Sequence, residues 1–120
     1  MANASETKLL TMELLRNVPE LGSIYDEHMR DYEELLPHVF FGDVTRYVVE
    51  QVRSGATGSR SSVARIVHAL EEGLVKGNED VLELISVSFL ENLAAYDDVF
   101  IALKQIAGSH LVKAMNAYGS

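Results

Sequence analysis

The stretch VPELGSIYDEHMRDYEELLP, residues 18–37, carries the clearest structural signal in the sequence. Its apolar and aromatic side chains recur every three or four residues, which places them on one face of an α-helix: Leu21, Ile24, Tyr25, His28, Met29 and Tyr32. Pro19 suits the first position of a helix, where its missing N–H is not needed. Pro37 marks the next boundary, because the residue before a proline is pushed out of the α region. The stretch therefore predicts one amphipathic helix between two prolines.

The segments before and after this stretch also show helical spacing. Residues 1–5 predict a frayed terminus, and Glu6 to Asn17 a short helix. Residues 38–42 are interpreted as a short apolar connector, after which Asp43 is predicted to cap a helix reaching about Arg53. Several β-branched residues in that last segment leave a strand as the alternative, although the three-four spacing favours a helix.

The second half of the chain predicts further helices, divided by glycine, serine and aspartate. Residues 54–62 form a Gly/Ser-rich loop, and Ser61 or Ser62 is expected to cap the helix that follows. Gly77 is predicted as a left-handed C-cap. Asn78 is predicted to cap a helix over about 79–95, which is apolar on most sides and is therefore expected to be buried. Asp97 and Asp98 are expected to cap the next helix, and a last helix is predicted from Ser109.

Together these segments predict an all-α fold: a compact bundle of six or seven short helices in a single domain of 120 residues. An arrangement of antiparallel helix pairs, as in α-solenoids, is left open. No apolar run approaches the ~20 residues that span a bilayer, and no targeting signal is visible, so a cytoplasmic location without membrane association is expected.

Composition narrows the classes of function. Zero cysteine excludes disulfides and thiolate metal sites. The 18 acidic residues exceed the 10 basic ones, a net charge of -8. This excess of negative charge argues against binding to nucleic acid, whose phosphates need a basic protein surface, and favours a basic partner.

Motifs for chemistry are missing from the sequence. There is no G-x-S-x-G elbow and no phosphate-binding loop. His38 lies near Glu34 and Asp43, but a proline break intervenes and a metal needs at least three converging ligands. Glu91, in the most apolar helix, is predicted to be buried in a structural polar network with Arg46 or His38. The sequence thus predicts no catalysis, no metal and no cofactor.

Carboxylates concentrate in the helix that contains residues 26–34. Five of them accompany a single arginine, Arg30: Asp26, Glu27, Asp31, Glu33 and Glu34. One interpretation is a solvated helix face. The other is a partner-binding face that attracts a basic protein and orients it.

Two strings carry a resemblance: LPHVFFGDVTR, residues 36–46, and LISVSFLENL, residues 84–93. Over about Pro19 to Leu103 the chain resembles a family of small bacterial all-helical domains of unassigned function, similar to the immunity proteins of polymorphic or contact-dependent toxin systems. The resemblance implies a helical fold without catalysis, and shared polar positions at His38, Asp43 and Glu91, which are interpreted as a structural polar network.

Three hypotheses follow in order of preference. The first is an immunity-type inhibitor that blocks a basic toxin domain through the acidic helix face. The second is a structural or scaffolding domain that self-associates as a homo-oligomer. The third is a small enzyme or metal protein that uses His38, Asp43 and Glu91.

Overall fold

A computed structural model describes residues 6–77 and 79–119, so the predicted frayed terminus at 1–5 and the predicted Asn78 cap lie outside the described residues. Within these ranges the chain is helical with short links and contains no strand. The helices are α1 Glu6–Asn17, α2 Gly22–Tyr32, α3 Pro37–Arg53, α4 Ser62–Lys76, α5 Glu79–Ile85, α6 Glu91–Leu93, α7 Asp97–Ile106 and α8 Ser109–Gly119. A 3-10 helix, Pro19–Leu21, precedes α2, and a π-helical turn, Ser86–Leu90, joins α5 to α6. The all-α bundle is confirmed.

The two prolines begin helical segments. Pro19 opens the 3-10 helix that leads into α2, as predicted. At the other end of α2, Glu33 adopts the left-handed conformation with φ 61°, and its N–H donates to Met29 O at 2.8 Å. This ends α2 at Tyr32, so Glu33 and Glu34 lie beyond the helix.

Pro37 is the first residue of α3, which corrects the predicted connector at residues 38–42. The missing N–H of proline costs nothing in a first helical turn. Phe40 N–H makes the first intrahelical hydrogen bond, to Leu36 O at 2.9 Å, so the helix is closed from its first turn. Asp43 therefore lies inside α3 instead of capping it, and its carboxylate pairs with Arg46 one turn later.

Four of the predicted caps have different outcomes. The Ser61 hydroxyl accepts from Ala64 N at 3.1 Å and caps α4, as predicted. Gly77 is the C-cap of α4, as predicted, but its φ of -74° is not left-handed, and a side chain there would overlap the carbonyl oxygen of Gly73. Asp97 and Asp98 lie in the first turn of α7 without capping it, because Tyr96 occupies the cap position.

The core is centred on α3 and on the continuous helix that α5, the π turn and α6 form together. The junction residues Ile85 and Glu91 both keep helical backbone angles, so the path is unbroken. The largest fully buried side chains are Phe40, Phe41, Phe89, Leu14, Leu21, Ile66, Leu70, Leu84, Ile85, Leu90, Leu93 and Leu103.

Helix 79–93 is buried on one side only, although its sequence is apolar on most sides. Leu82 and Val87 are exposed. The prediction that Glu91 is buried is also wrong. The π turn directs Leu90 and Leu93 into the core, which leaves the intervening Glu91 facing outward.

Polar contacts hold the π turn against α3. The Thr45 hydroxyl donates to Ser88 O at 3.2 Å and to Phe41 O at 2.8 Å, and it is buried. Ser88 O also accepts from Asn92 Nδ2 at 3.0 Å. The Ser88 hydroxyl lies 2.5 Å from His38 Nδ1. Ser88 is thus bonded to side chains of α3 through both its carbonyl and its hydroxyl.

Glu71 of α4 caps the start of α8 from outside that helix. Its carboxylate accepts from His110 N at 3.0 Å and Leu111 N at 2.9 Å, and it lies 2.8 Å from His110 Nδ1. The N–H groups of a first helical turn have no partner within their own helix, and a carboxylate there also meets the positive end of the helix dipole. This contact joins α8 to α4.

We predict that the Glu71 cap of α8 requires a glycine at position 108. A methyl group at Gly108 would lie 2.6 Å from Glu71 Oε1 and displace the carboxylate, whereas nothing lies within 4 Å of the same position at Gly22. We expect Gly108→Ala to destabilise the protein by about 1–3 kcal/mol. The matched Gly22→Ala should stabilise α2 by up to about 1 kcal/mol. Urea unfolding of both variants measures the difference, and equal effects would contradict this role of Gly108.

The Glu71 cap also predicts a dependence of stability on pH. Partial burial by itself raises the pKa of Glu71, but the hydrogen bonds from Leu111 and His110 outweigh it and hold the pKa below the ordinary 4.5. A carboxyl whose pKa is lowered by folding contributes stability above its unfolded pKa and loses it as the pH falls through the folded value.

We therefore expect Glu71→Gln to cost about 1 kcal/mol at neutral pH. The gap to the wild type should close as the pH falls below 4.5, the ordinary value for this carboxyl. Glu72→Gln is the control, since Glu72 is exposed and makes no side-chain bond among the described residues. Denaturant unfolding from pH 7 to pH 3 tests this, and a gap that persists in acid would argue against the cap.

Candidate partner-binding groove

An open groove of about 490 Å³ runs between α2 and α3. One face of α2 and one face of α3 form its walls, and the 3-10 helix closes one end. The lining residues are Glu20, Ser23, Ile24, Glu27, His28, Asp31, Tyr32, Asp43, Arg46, Tyr47 and Glu50. We call this surface the acidic groove.

Five carboxylates and one arginine line the acidic groove. Arg46 is paired with Asp43 within α3. Glu20 is held by the guanidinium of Arg65, which donates to both of its carboxylate oxygens, and this hydrogen bonding lowers the pKa of Glu20 below its usual value.

Three carboxylates of the acidic groove have no such partner. Glu27, Asp31 and Glu50 make no ion pair or side-chain hydrogen bond within residues 6–77 and 79–119. The charge of the groove is therefore not neutralised from within the described chain, and a negative surface remains between the two helices.

The predicted partner-binding residues divide into two groups. Glu27 and Asp31, one turn apart on α2, line the acidic groove. Asp26, Glu33 and Glu34 are exposed but lie outside it, because Asp26 faces another side of α2 and the other two follow the helix end.

The sequence analysis missed three carboxylates of the groove: Glu20, Asp43 and Glu50. A signal was present, because Glu20 and Glu27 are seven residues apart, and so are Asp43 and Glu50. Seven residues are about two helical turns, which puts each pair on one face. Only the packing of α2 on α3 turns the two faces toward each other.

His28 lies in the wall of the acidic groove and is only 2% exposed. Its Nε2 accepts a hydrogen bond from Leu36 N–H at 3.0 Å, which links the end of α2 to the start of α3. Its ring packs against Tyr32 and Phe40, with centroid distances of 4.9 and 5.8 Å. The partner of His28 Nε2 is thus a main-chain amide N–H.

The structure leaves Nδ1 of His28 buried without a hydrogen-bond partner among the described residues. Because Nε2 acts as an acceptor, it carries no hydrogen, and the neutral ring must carry its proton on Nδ1. A buried donor without an acceptor is rare and costly in proteins.

The predicted network of His38, Asp43 and Glu91 does not form. His38 bonds Ser88, Asp43 pairs with Arg46, and Glu91 makes no side-chain bond within the described ranges. The reason is the outward direction of Glu91 after the π turn. The neighbouring His38–Ser88 pair has the residue types of a nucleophile and its base, but Ser88 is only 5% exposed and its hydroxyl is closed off from a substrate.

Within the described residues, no three side chains of the kinds that ligate metals converge on one point. The carboxylates of the acidic groove are thus spread along two helices and do not form a metal site. None of the described helices has both the length and the apolar character needed to cross a membrane.

The comparison with known families places residues 11–117 in the family described as Domain of unknown function (DUF7674). The match covers most of the chain, so the protein belongs to this family. No curated protein and no solved structure matches it.

The His28 bond to Leu36 is predicted to position α2 against α3. We expect His28→Phe to cost about 1–2 kcal/mol of stability, because Leu36 N–H then loses its acceptor. His28→Gln should cost less, since the glutamine side-chain oxygen can occupy the place of Nε2. Thermal unfolding of the two variants tests this order, and a phenylalanine variant as stable as the wild type would contradict it.

Proposed function

We propose that this protein is a non-catalytic binding protein whose acidic groove receives a basic surface of a partner protein. The observation that carries the proposal is the set of three carboxylates, Glu27, Asp31 and Glu50, that face one groove from two helices without an ion pair among the described residues. A positively charged partner would supply the missing counter-charges.

Electrostatic physics supports this function for the groove. Clefts lined by charge of one sign concentrate the field and accelerate association with a partner of opposite charge. Such charges contribute more to the association rate and to orientation than to affinity. The net charge of -8 extends the attraction over the whole molecule.

We further propose that the partner is a toxin domain and that the protein acts as an immunity-type inhibitor in the cytoplasm. The resemblance of residues 36–46 and 84–93 to immunity-like helical domains supports this, and residues 37–46 of the first string belong to α3, one wall of the acidic groove. Inhibition would result from covering the basic surface with which a toxin binds its substrate, and it would require no chemistry of this chain.

A second candidate function is self-association. A groove of about 760 Å³ between α1 and α4 exposes apolar side chains, among them Leu9 at 50% and Met12 at 43%. Exposed apolar surface of this kind favours contacts with protein. Sedimentation at several concentrations tests this candidate: a monomer at every concentration would exclude self-association, whereas a stable dimer through α1 and α4 would support it and still leave the acidic groove free.

The inhibitor proposal predicts that protection from a toxin depends on the charge of the groove. The assay is growth of cells that express the toxic product of the reading frame beside this chain's own, with or without this protein. We expect the wild type to restore growth. A triple reversal in the groove, Glu27→Lys with Asp31→Lys and Glu50→Lys, should abolish protection.

The control reverses three carboxylates that lie outside the groove: Asp26→Lys with Glu33→Lys and Glu34→Lys. It changes the net charge by the same amount and should still protect. Equal protection by both triple variants, or no protection by the wild type, would overturn the proposal.

A further inference from the structure

We propose that the ligand of the acidic groove is an arginine-containing peptide segment held at two points. Its guanidinium groups bind the carboxylates of α2 and α3, and a main-chain carbonyl accepts a hydrogen bond from His28 Nδ1. The inference rests on the proposed function in that both place a basic protein segment in this groove.

The carboxylates define the first requirement, which is positive charge on the ligand. Glu27 and Asp31 lie on one face of α2, and Glu50 lies on the facing wall from α3. A segment lying along the groove would meet negative groups on both sides. Charge-assisted hydrogen bonds to carboxylates are about twice as strong as neutral ones.

His28 defines the second requirement, which is a hydrogen-bond acceptor. Its Nδ1 carries the ring proton, is buried and has no partner among the described residues. Neither a guanidinium nor an ammonium group can accept a hydrogen bond. A free polyamine or a metal ion would therefore satisfy the carboxylates but not His28.

A basic peptide satisfies both requirements at once, because its side chains supply the positive charge and its main chain supplies a carbonyl acceptor at every residue. The ring of Tyr32 lies next to that of His28, with a centroid distance of 4.9 Å, and Tyr32 is the last residue of α2 and is 47% exposed. Since His28 is nearly inaccessible, the proposed bond requires a neighbouring side chain to move, and Tyr32, which packs on the His28 ring and is half exposed, is the candidate. The left-handed Glu33 that follows ends the helix, so no further helical turn holds Tyr32 in place.

The other groove residues favour arginine over lysine. Tyr32 and Tyr47 contribute aromatic rings, and Ile24 contributes an apolar surface. A guanidinium is planar, stacks on aromatic rings and binds carboxylates with two parallel hydrogen bonds, whereas an ammonium group is a strongly hydrated point charge.

The test measures the affinity of the full chain for three probes by isothermal titration calorimetry at low salt. The probes are a Gly/Ser peptide with three arginines, the same peptide with three lysines, and spermidine, which carries three positive charges and no acceptor. We expect the arginine peptide to bind about tenfold more tightly than spermidine. It should bind several-fold more tightly than the lysine peptide.

Variants locate the two points of contact. Glu27→Gln with Asp31→Asn and Glu50→Gln should weaken the arginine peptide by about tenfold or more, and Asp26→Asn with Glu33→Gln and Glu34→Gln should leave it unchanged. His28→Gln keeps an acceptor for Leu36 N–H, and the N–H₂ of its amide lies beside that acceptor, one bond further from the backbone than the place of Nδ1. It should therefore weaken the peptide several-fold and leave spermidine unaffected, with thermal unfolding as the check that the variant is folded.

Several results would overturn the inference: spermidine or the lysine peptide binding as tightly as the arginine peptide, both triple variants binding equally, or His28→Gln weakening all probes alike. If His28→Gln does not fold, the comparison of the arginine peptide with spermidine on the wild type decides. If the calorimetry contradicts the inference while protection in the growth assay depends on the charge of the groove, the arginine peptide is refuted as ligand and the proposed function still stands. Peptide binding without protection would refute the inhibitor role alone.

Discussion

The packing of α3 against the continuous helix 79–93 is the constraint on which the other parts of the structure depend. Phe40 and Phe41 of α3 and Phe89 of the π turn are fully buried. The Thr45 hydroxyl and His38 bond to Ser88 at the same contact. Apolar burial supplies most of the stabilisation, and the hydrogen bond from Thr45 to Ser88 O favours this register of the two helices.

The geometry of the acidic groove follows from that fixed position of α3. One side of this helix faces the core, and another carries Asp43, Tyr47 and Glu50 toward α2. Phe40 connects the two sides, since its ring lies 6.0 Å from that of Tyr25 and 5.8 Å from that of His28. The carboxylates of the groove are thus attached to helices that the core holds rigidly, which is the arrangement that a binding surface of defined shape requires.

Long-range polar contacts hold the ends of the other helices. Glu71 caps α8 from a distance of about forty positions along the chain. Arg53, at the end of α3, donates two hydrogen bonds to Asp98 at 3.0 and 3.1 Å and lies over the ring of Tyr96. The Glu71 contact shows that a side chain of a neighbouring helix satisfies first-turn N–H groups as a local cap would.

Local information in the sequence determined the helices, most of their boundaries and the fold class, because helical periodicity and proline act within a few residues. It also identified Glu27 and Asp31 as members of an acidic helix. Only the tertiary structure decided that these two face Glu50 across a groove, that Glu91 points outward after the π turn, and that His28 keeps a buried donor without a partner among the described residues. These facts depend on how whole helices pack, and a helical period specifies which residues share a face but not which face meets another.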